Sequence, residues 1–277
     1  MAEWEKVSGF QFTDIIYEKR PGVARVTINR PEAFNAFRTG TQRELVAAFT
    51  DASDDETIGV VVFTAAGEKA FCTGGDAKEA ESGYRKGMVE LDHRVKTVIR
   101  EMPKPVIAAV NGFAIGGGHV YHQICDLSIA SENAKFGQVG PKVGSADIGV
   151  GALDLMLVVG EKKAKEIWFM CRLYTAQEAL EMGLVNKVVP PDKLEEETDK
   201  WCDEILEKSP TMIAALKATF HTATAYMHGV ESLGFQYLWK YYGSEEAKHW
   251  KQSFWEKKKP EWQRFRRKEP YAGIFED

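Results

Sequence analysis

The feature that most constrains the fold is a regular alternation of short apolar segments with longer amphipathic ones. Helical patterns cover about 42–52 and 89–102. The apolar segments are short, rich in β-branched residues and typical of buried strands, and they lie at 22–29, 60–64, 105–110 and 127–130. Strands that alternate with helices pair mainly in parallel, with the helices outside. The sequence therefore predicts an α/β fold.

The pattern changes beyond about residue 190, where we predict helices and no further strand. Segments 194–207 and 211–258 are rich in charged and aromatic side chains. We divide the chain into a core with the active site at 1–190 and a helical region at 191–277 that packs on the core and on a neighbouring subunit. The many aromatic residues of the second region need a partner surface. The sequence alone leaves open whether this surface is a neighbouring subunit or the chain's own core.

Charge and hydropathy exclude two classes of partner. The 277 residues carry 36 basic and 41 acidic side chains, for a net charge of −5, and the two signs are interspersed. No basic face suited to nucleic acid stands out. The apolar runs fall far short of the roughly 20 residues that a membrane span requires. The N-terminal residues lack the pattern of a secretory signal, so we expect a cytoplasmic protein.

Two glycine-rich runs each follow a predicted buried strand. Phe-Cys-Thr-Gly-Gly-Asp occupies 71–76, and Gly-Phe-Ala-Ile-Gly-Gly-Gly occupies 112–118 and opens a helix. Glycine lets the backbone approach a ligand closely and leaves N–H groups free to donate. Two such donors that converge form an oxyanion hole. Either run taken alone is also explained as a tight turn, and neither has the spacing of a phosphate-binding motif.

The succession of motifs along the whole chain resembles that of the enoyl-CoA hydratase/isomerase (crotonase) family. The matching runs are Ile-Asn-Arg-Pro at 28–31, Asn-Ala at 35–36, the two glycine runs, Lys-Pro-Val-Ile at 104–107 and Cys-Asp at 125–126. The resemblance implies a spiral of ββα units with a helical C-terminal region that forms homotrimers, commonly paired into homohexamers. It also implies an acyl-CoA substrate and no cofactor, since coenzyme A is part of the substrate.

The same resemblance assigns roles to individual residues around the substrate. Gly75 and Gly117 supply the two N–H groups of the oxyanion hole. Lys78, Ala36 and Lys257 lie along the coenzyme A moiety. A lone lysine such as Lys78 is more often only a solvated charge.

The most informative departure from the family concerns its two catalytic glutamates. Hydratases of the family carry one glutamate two residues after the Gly-Gly-Gly run and another inside a later Phe-Gly-Gln segment. Those positions are Val120 and Gly140 here. Neither side chain can move a proton, so simple hydration of an enoyl-CoA is not expected.

The residues that follow resemble a branch containing 2-ketocyclohexanecarboxyl-CoA hydrolase and 1,4-dihydroxy-2-naphthoyl-CoA synthase. Both enzymes pass through a thioester enolate. The branch has four catalytic side chains, which correspond here to Asp147, Ser145, Tyr84 and Tyr242, the last of them in some cases delivered by a neighbouring subunit. Its pocket for bicarbonate or water corresponds to Gln138, Gly140 and Trp168. Val139 replaces the threonine usual in the synthase, so a water can take the place of bicarbonate.

Details of the same segment favour the hydrolase over the synthase. Ala146 and Ile148 flank Asp147 where the synthase has an aromatic residue and glycine, and no Arg-Gly pair follows the first glycine run. We therefore predict hydrolytic, retro-Dieckmann opening of an alicyclic β-oxoacyl-CoA ring, as used in anaerobic aromatic and alicyclic degradation. The alternative is Dieckmann closure of o-succinylbenzoyl-CoA in menaquinone biosynthesis, which the segments 118–120 and 182–190 favour.

Three further hypotheses have less support in the sequence. A non-catalytic member that only binds acyl-CoA does not need the retained glycine runs and polar side chains. A serine thioesterase needs a nucleophile elbow, and the segment around Ser145 lacks its glycine spacing. His119 and His122 share a helix face, but no third metal ligand is evident, so we predict no metal site.

Overall fold

The computed structural model describes residues 3–81 and 86–266. The strands are β1 Glu5–Lys6, β2 Ile15–Arg20, β3 Gly22–Ile28, β4 Ile58–Ala65, β5 Ala70–Cys72, β6 Val106–Val110, β7 Phe113–Ile115, β8 Leu127–Ser131, β9 Lys135–Gly137, β10 Tyr174–Thr175 and β11 Lys187–Val189. All four strands expected from the apolar segments are present, and no strand follows residue 190 in the described part of the chain.

Helices fill the intervals between strands and make up the C-terminal region. They are α1 Thr39–Asp54, α2 Ala77–Glu81, α3 Lys86–Glu101, α4 Gly117–Gln123, α5 Val150–Val159, α6 Glu161–Met170, α7 Ala176–Glu181, α8 Leu194–Leu206, α9 Pro210–Ala223, α10 Tyr226–Gly243 and α11 Glu245–Trp255. No helix in the described residues has both the length and the apolar character of a membrane span.

The main sheet has seven strands in the order β1-β2-β3-β4-β6-β8-β11. Its first three strands pair antiparallel, and every pair from β3 to β11 is parallel. The expected α/β class with mainly parallel pairing is confirmed. The parallel part arises because α1, α3 and α4 each return the chain to the same end of the sheet.

A second, four-stranded sheet, which the apolar pattern did not indicate, has the order β10-β9-β7-β5. Its strands have only two or three residues each, too few to give a periodic signal. After each of β4, β6 and β8, the chain adds one strand to this small sheet before entering a helix. This repeat is the expected spiral of ββα units.

The strands of the main sheet bury both faces. On β4, Val61 and Phe63 enter the main core, while Val60 and Val62 enter a smaller core on the opposite face. Leu194 and Cys202 of α8 cover that second face. Burial on both sides explains why the strands are almost continuously apolar.

Lys217 joins the C-terminal helices to the end of the sheet. Its buried ammonium donates to the carbonyl oxygens of Ile99 and Lys104, each at 2.9 Å, and pairs with Asp126 Oδ2 at 2.7 Å. Asp126 Oδ2 also accepts the Val106 N–H at 2.7 Å, so the carboxylate fixes the start of β6. Helix α9 is thereby tied to α3, β6 and the turn before β8.

We expect Lys217→Met to lower the free energy of unfolding by about 3 kcal/mol, because it leaves a carboxylate and two carbonyl groups without their donor. Urea denaturation followed by circular dichroism measures the change. The control is Lys208→Met, which removes an exposed ion pair with Glu207 and should cost less than about 1 kcal/mol. Equal effects of the two substitutions would contradict this role of Lys217.

Candidate functional site

One cavity of about 450 Å³ collects the residues that the sequence singled out. Strands β5 and β7 are parallel neighbours in the small sheet, so the loops that follow them emerge side by side. Gly74 and Gly75 from the first loop and Gly116 and Gly117 from the second line the cavity. The two glycine runs therefore meet at one site.

The two loops contact each other so closely that side chains have no room. A Cβ atom on Gly118 would lie 2.0 Å from the Cys72 carbonyl oxygen, and one on Gly74 would lie 3.1 Å from Gly117 N. Within the described residues, the N–H groups of Gly75 and Gly117 donate to no protein atom. Both glycines line the cavity, so each offers an unused donor there.

Segment 30–37 holds the first loop in place. The Phe37 N–H donates to the Gly74 carbonyl at 2.9 Å, and the Phe37 carbonyl accepts the Asp76 N–H at 2.8 Å. The Arg30 guanidinium pairs with Asp76 at 2.8 Å. The Phe37 ring blocks the space beside Gly117, where a Cβ would lie 2.8 Å from it. Phe37 therefore orders both loops at once.

Asp147 lies in the cavity wall beside Val120. Its Oδ1 accepts the Gly151 N–H at 2.9 Å, and its Oδ2 accepts the Lys96 ammonium at 2.5 Å. A Cβ on Gly151 would lie 2.6 Å from Asp147 Cγ and 2.8 Å from Val120 Cγ2. A carboxylate from another segment thus comes next to the residue at which the family's hydratases carry a glutamate.

Lys96 is the centre of a buried charge cluster on this wall. Its side chain is 2% exposed and also pairs with Asp92 at 2.7 Å and Glu231 at 3.1 Å. Burial alone would lower the pKa of Lys96, but the carboxylates of Asp147, Asp92 and Glu231 outweigh it and hold the pKa well above its usual value. Burial raises the pKa of Asp92, against the opposing effect of Lys96.

Asp92, Lys96 and Glu231 were not among the residues predicted from the sequence. The spacing of four between Asp92 and Lys96 on a predicted helix was an available signal of an ion pair. Glu231 lies 135 residues from Lys96 in the chain, and no local pattern links the two.

Ser145 and Tyr242 meet through their hydroxyl groups, whose oxygens are 2.8 Å apart. Both residues line the cavity. Tyr242 belongs to α10 of the same chain, so this contact does not need a neighbouring subunit.

Aromatic side chains of α10 and α11 cover the cavity. The cavity-lining residues of the two helices are Phe235, Leu238, Tyr242, Ala247, Trp250, Lys251, Phe254 and Trp255. The C-terminal aromatics, whose partner surface the sequence left open, thus pack in part over the chain's own site. Trp239, Phe254 and Trp255 still have 46% of their surface exposed in the single chain.

The three residues of the predicted water or bicarbonate pocket come together. Gln138, Gly140 and Trp168 all line the cavity. The Gln138 amide nitrogen is 3.2 Å from His119 Nδ1, and the buried Trp168 Nε1 has no partner among the described residues. The indole N–H therefore has an unfilled hydrogen-bonding capacity beside the cavity.

Three of the predicted site residues that the structure describes do not line the cavity, and a fourth falls outside the described ranges. Tyr84 lies outside the described residues. Lys78 is exposed on α2, between Ala77 and Glu79, which do line the cavity. The carbonyl of buried Ala36 accepts a hydrogen bond from Arg30, and Lys257 is exposed two residues after Trp255. The roles of these four in coenzyme A binding or catalysis stay predictions.

His119 and His122 are fully buried, with ring centroids 5.0 Å apart, and both pack on Phe136. No group of three metal-ligating side chains occurs among the described residues. Burial lowers the pKa of His119 to about 4. Burial likewise lowers the pKa of His122 well below its usual value.

Acid should therefore destabilise the protein through these histidines. In the unfolded chain His119 has a pKa of about 6.5. Between that value and about 4 only the unfolded state binds the proton, so the free energy of unfolding falls as the pH drops. His119→Leu should reduce the slope between pH 6 and 5 by about 1.4 kcal/mol per pH unit. Urea denaturation at several pH values measures this slope, and an unchanged slope in the variant would show that His119 is not the acid-sensitive group.

Comparison with known proteins agrees with this geometry. The sequence profile of the family described as Enoyl-CoA hydratase/isomerase matches residues 18–265. Carnitinyl-CoA hydratase from Mycobacterium avium is 30% identical, with a TM-score of 0.83, over 91% of this chain and 98% of that one. An enoyl-CoA hydratase from Mycobacterium avium subsp. paratuberculosis K-10 is 28% identical, with a TM-score of 0.81, over 90% and 98%. A monofunctional enoyl-CoA isomerase from M. smegmatis is 32% identical, with a TM-score of 0.68, over 76% and 94%. The chain belongs to the enoyl-CoA hydratase/isomerase family.

Proposed function

We propose that this enzyme opens the ring of an alicyclic β-oxoacyl-CoA by hydrolysis, through a thioester enolate. The unused N–H groups of Gly75 and Gly117 support the first part of the proposal, since two converging backbone donors suit the oxygen of an enolate. Removing one such donor in other enzymes costs about 3 kcal/mol of transition-state stabilisation.

The position of Asp147 carries the choice of reaction. The residues at the two glutamate positions of hydratases are Val120 and Gly140, and the Asp147 carboxylate lies beside Val120 on the cavity wall. A carboxylate there can accept a proton from water. The missing glutamates make direct hydration of a double bond a poor fit, whereas one base and an oxyanion hole suffice for hydrolysis of a β-oxo thioester.

The chemistry then follows from these groups. Asp147 takes a proton from a water as the water oxygen adds to the ring ketone carbon. The adduct collapses, the bond between that carbon and the α-carbon breaks, and the electron pair enters the thioester enolate held by Gly75 and Gly117. Within the Ser145–Tyr242 pair one hydroxyl donates to the other, and the second hydroxyl donates its proton to the former ketone oxygen.

The walls of the cavity suit an alicyclic ring. Leu238, Trp250 and Phe235 give it an apolar cover, and its volume of about 450 Å³ accommodates a ring with part of the pantetheine arm. We propose that coenzyme A lies along two segments, the one that contains Ala36 and helix α2 with Lys78. Lys257 then lies near the charged end of coenzyme A.

One observation favours the reverse chemistry as a second candidate. Gln138, Gly140 and Trp168 line the cavity, and the buried Trp168 N–H has no partner among the described residues, which supports a small polar guest such as water or bicarbonate. With bicarbonate as an external base, the same site closes the ring of o-succinylbenzoyl-CoA, the reaction of 1,4-dihydroxy-2-naphthoyl-CoA synthase. Val139, which lines the same cavity, is apolar and disfavours the anion.

The proposal predicts that the purified protein converts 2-oxocyclohexane-1-carboxyl-CoA into a dicarboxylic acyl-CoA, with the gain of one water seen by mass spectrometry. Asp147→Asn should slow this conversion at least about a hundredfold, because the amide cannot accept the proton. Asp154→Asn is the matched control, since Asp154 pairs with Arg100 at 2.9 Å and does not line the cavity. It should retain activity.

Three results would contradict the proposal. Turnover that survives in Asp147→Asn would remove Asp147 from the reaction. No gain of mass, together with closure of o-succinylbenzoyl-CoA, would establish the synthase. A protein that binds both thioesters without converting either would be a non-catalytic member of the family.

We further propose that the chain forms a homotrimer, or a homohexamer of two trimers. Met212, Leu216 and Phe220 recur every four residues on α9 and are 58%, 56% and 71% exposed in the single chain. Phe169 and Met170 at the end of α6 are similarly exposed. Apolar stripes of this kind are typical of subunit interfaces.

The double substitution Leu216→Asp, Phe220→Asp should therefore convert the assembly into monomers, because it buries two charges in the proposed interface. Native mass spectrometry measures the mass of the particle. Lys208→Met, close to α9 and fully outside this stripe, should keep the oligomer intact. A wild-type protein that is monomeric at micromolar concentration would refute the proposed assembly.

A further inference from the structure

The charge cluster around Lys96 contains more carboxyl groups than its one ammonium group can neutralise. One buried ammonium contacts three carboxyl groups, those of Asp92, Asp147 and Glu231. Full ionisation would place a net charge of −2 on a site whose central side chain is 2% exposed. Because three carboxylates so close together repel one another, one of the three carboxyl groups tends to keep its proton.

The neighbours of each carboxyl group indicate which one keeps it. Both oxygens of Asp147 face donors, the Gly151 N–H and the Lys96 ammonium. Glu231 is shared between Lys96 and His93, whose side chain is 37% exposed. Asp147 therefore faces donors at both oxygens, and Glu231 faces the Lys96 ammonium at Oε1 and an imidazole nitrogen at Oε2.

Asp92 has a different environment. Its Oδ2 faces Lys96, but its Oδ1 lies 3.1 Å from the Tyr121 hydroxyl and 3.2 Å from the Gln42 amide. As placed, both groups donate to Oδ1, and the Gln42 amide also donates to the Tyr121 hydroxyl. Rotation of the hydroxyl and a flip of the amide would let these neighbours accept a hydrogen bond from a protonated Asp92, which the Gly151 N–H and the Lys96 ammonium beside Asp147 cannot do. Burial, Asp147 and Glu231 raise the pKa of Asp92, and Lys96 opposes them.

Asp92 is linked to the oxyanion hole through two stacked aromatic rings and lines the same cavity. Its partner Tyr121 stacks on Phe37 with ring centroids 4.8 Å apart, and the Phe37 ring lies against Gly117. Asp92, Asp147 and both oxyanion-hole glycines line the same cavity. A substrate held by the two N–H groups thus faces two carboxyl groups with different surroundings.

We propose that Asp92 is a second catalytic residue, the acid that protonates the α-carbon of the enolate. This inference rests on the enolate of the proposed function and deepens it. The Asp92 O–H bond breaks, its proton forms the new C–H bond at the α-carbon, and the enolate electron pair is consumed. Asp92 is left as a carboxylate, while Asp147 carries the proton taken from water.

Lys96 can return Asp92 and Asp147 to their starting protonation states. Its ammonium contacts Asp147 Oδ2 at 2.5 Å and Asp92 Oδ2 at 2.7 Å. Transfer of one of its protons to Asp92, with replacement from Asp147, restores both starting states. One water is consumed, and no other reactant is needed.

The test is exchange of the α-proton of cyclohexanecarboxyl-CoA in D₂O, followed by mass spectrometry. This thioester has no ketone, so only proton exchange at the α-carbon can occur. Asp92 first passes its proton through Lys96 to Asp147, then takes the α-proton to form the enolate held by Gly75 and Gly117, and returns a deuteron acquired from D₂O. The wild type should incorporate one deuterium. Asp92→Asn should lose at least about a hundredfold in exchange rate. The control Asp154→Asn should keep it within a few-fold.

A second measurement needs no turnover and guards against misfolding of the variant. The infrared spectrum of the wild type at pH 7 should contain the band of a protonated carboxylic acid, absent from a folded Asp92→Asn. Wild-type protein without this band, no exchange in the wild type, or wild-type exchange in Asp92→Asn would each overturn the inference. Exchange that depends on Asp92 without any ring opening would instead refute the proposed hydrolase and keep the role of Asp92.

Discussion

The direct contact between two glycine loops is the constraint on which the rest of the site depends. Parallel pairing of β5 with β7 brings the loops to the same edge, and the absence of side chains at Gly74 and Gly118 lets their backbones touch. Phe37 then fixes both loops through its backbone and its ring. Because these contacts use other atoms, the N–H groups of Gly75 and Gly117 remain available to a ligand.

The reaction that these two N–H donors support depends on the carboxyl side chains that later segments of the chain place beside them. Segment 144–151 places Asp147 where Val120 leaves space, and α10 adds Glu231 from behind. Lys96 neutralises part of the acid that accumulates there, since carboxyl groups buried this close cannot all ionise without a cation. Breaking the cluster by removing Lys96 would thus alter the protonation of the site as well as its shape.

The C-terminal helices contribute to the site and to the stability of the whole chain. Lys217 ties α9 to the sheet, and α10 and α11 continue from there over the cavity. Their aromatic side chains line the same cavity as Asp147 and Lys96. The apolar residues left exposed on α9 face away from these contacts and suit association with further copies.

The sequence by itself determined the α/β class, the main strands, the helical C-terminal region and the positions of the glycine loops, because buried strands and glycine runs leave local signals. It also singled out Asp147, Ser145 and Tyr242 as residues of interest. Only the tertiary structure decided that these residues share one cavity, that Tyr242 comes from the same chain, and that Asp92, Lys96 and Glu231 surround Asp147. Strands of two or three residues carry no periodicity, and an ion cluster spanning 135 residues has no local pattern, so packing alone could reveal them.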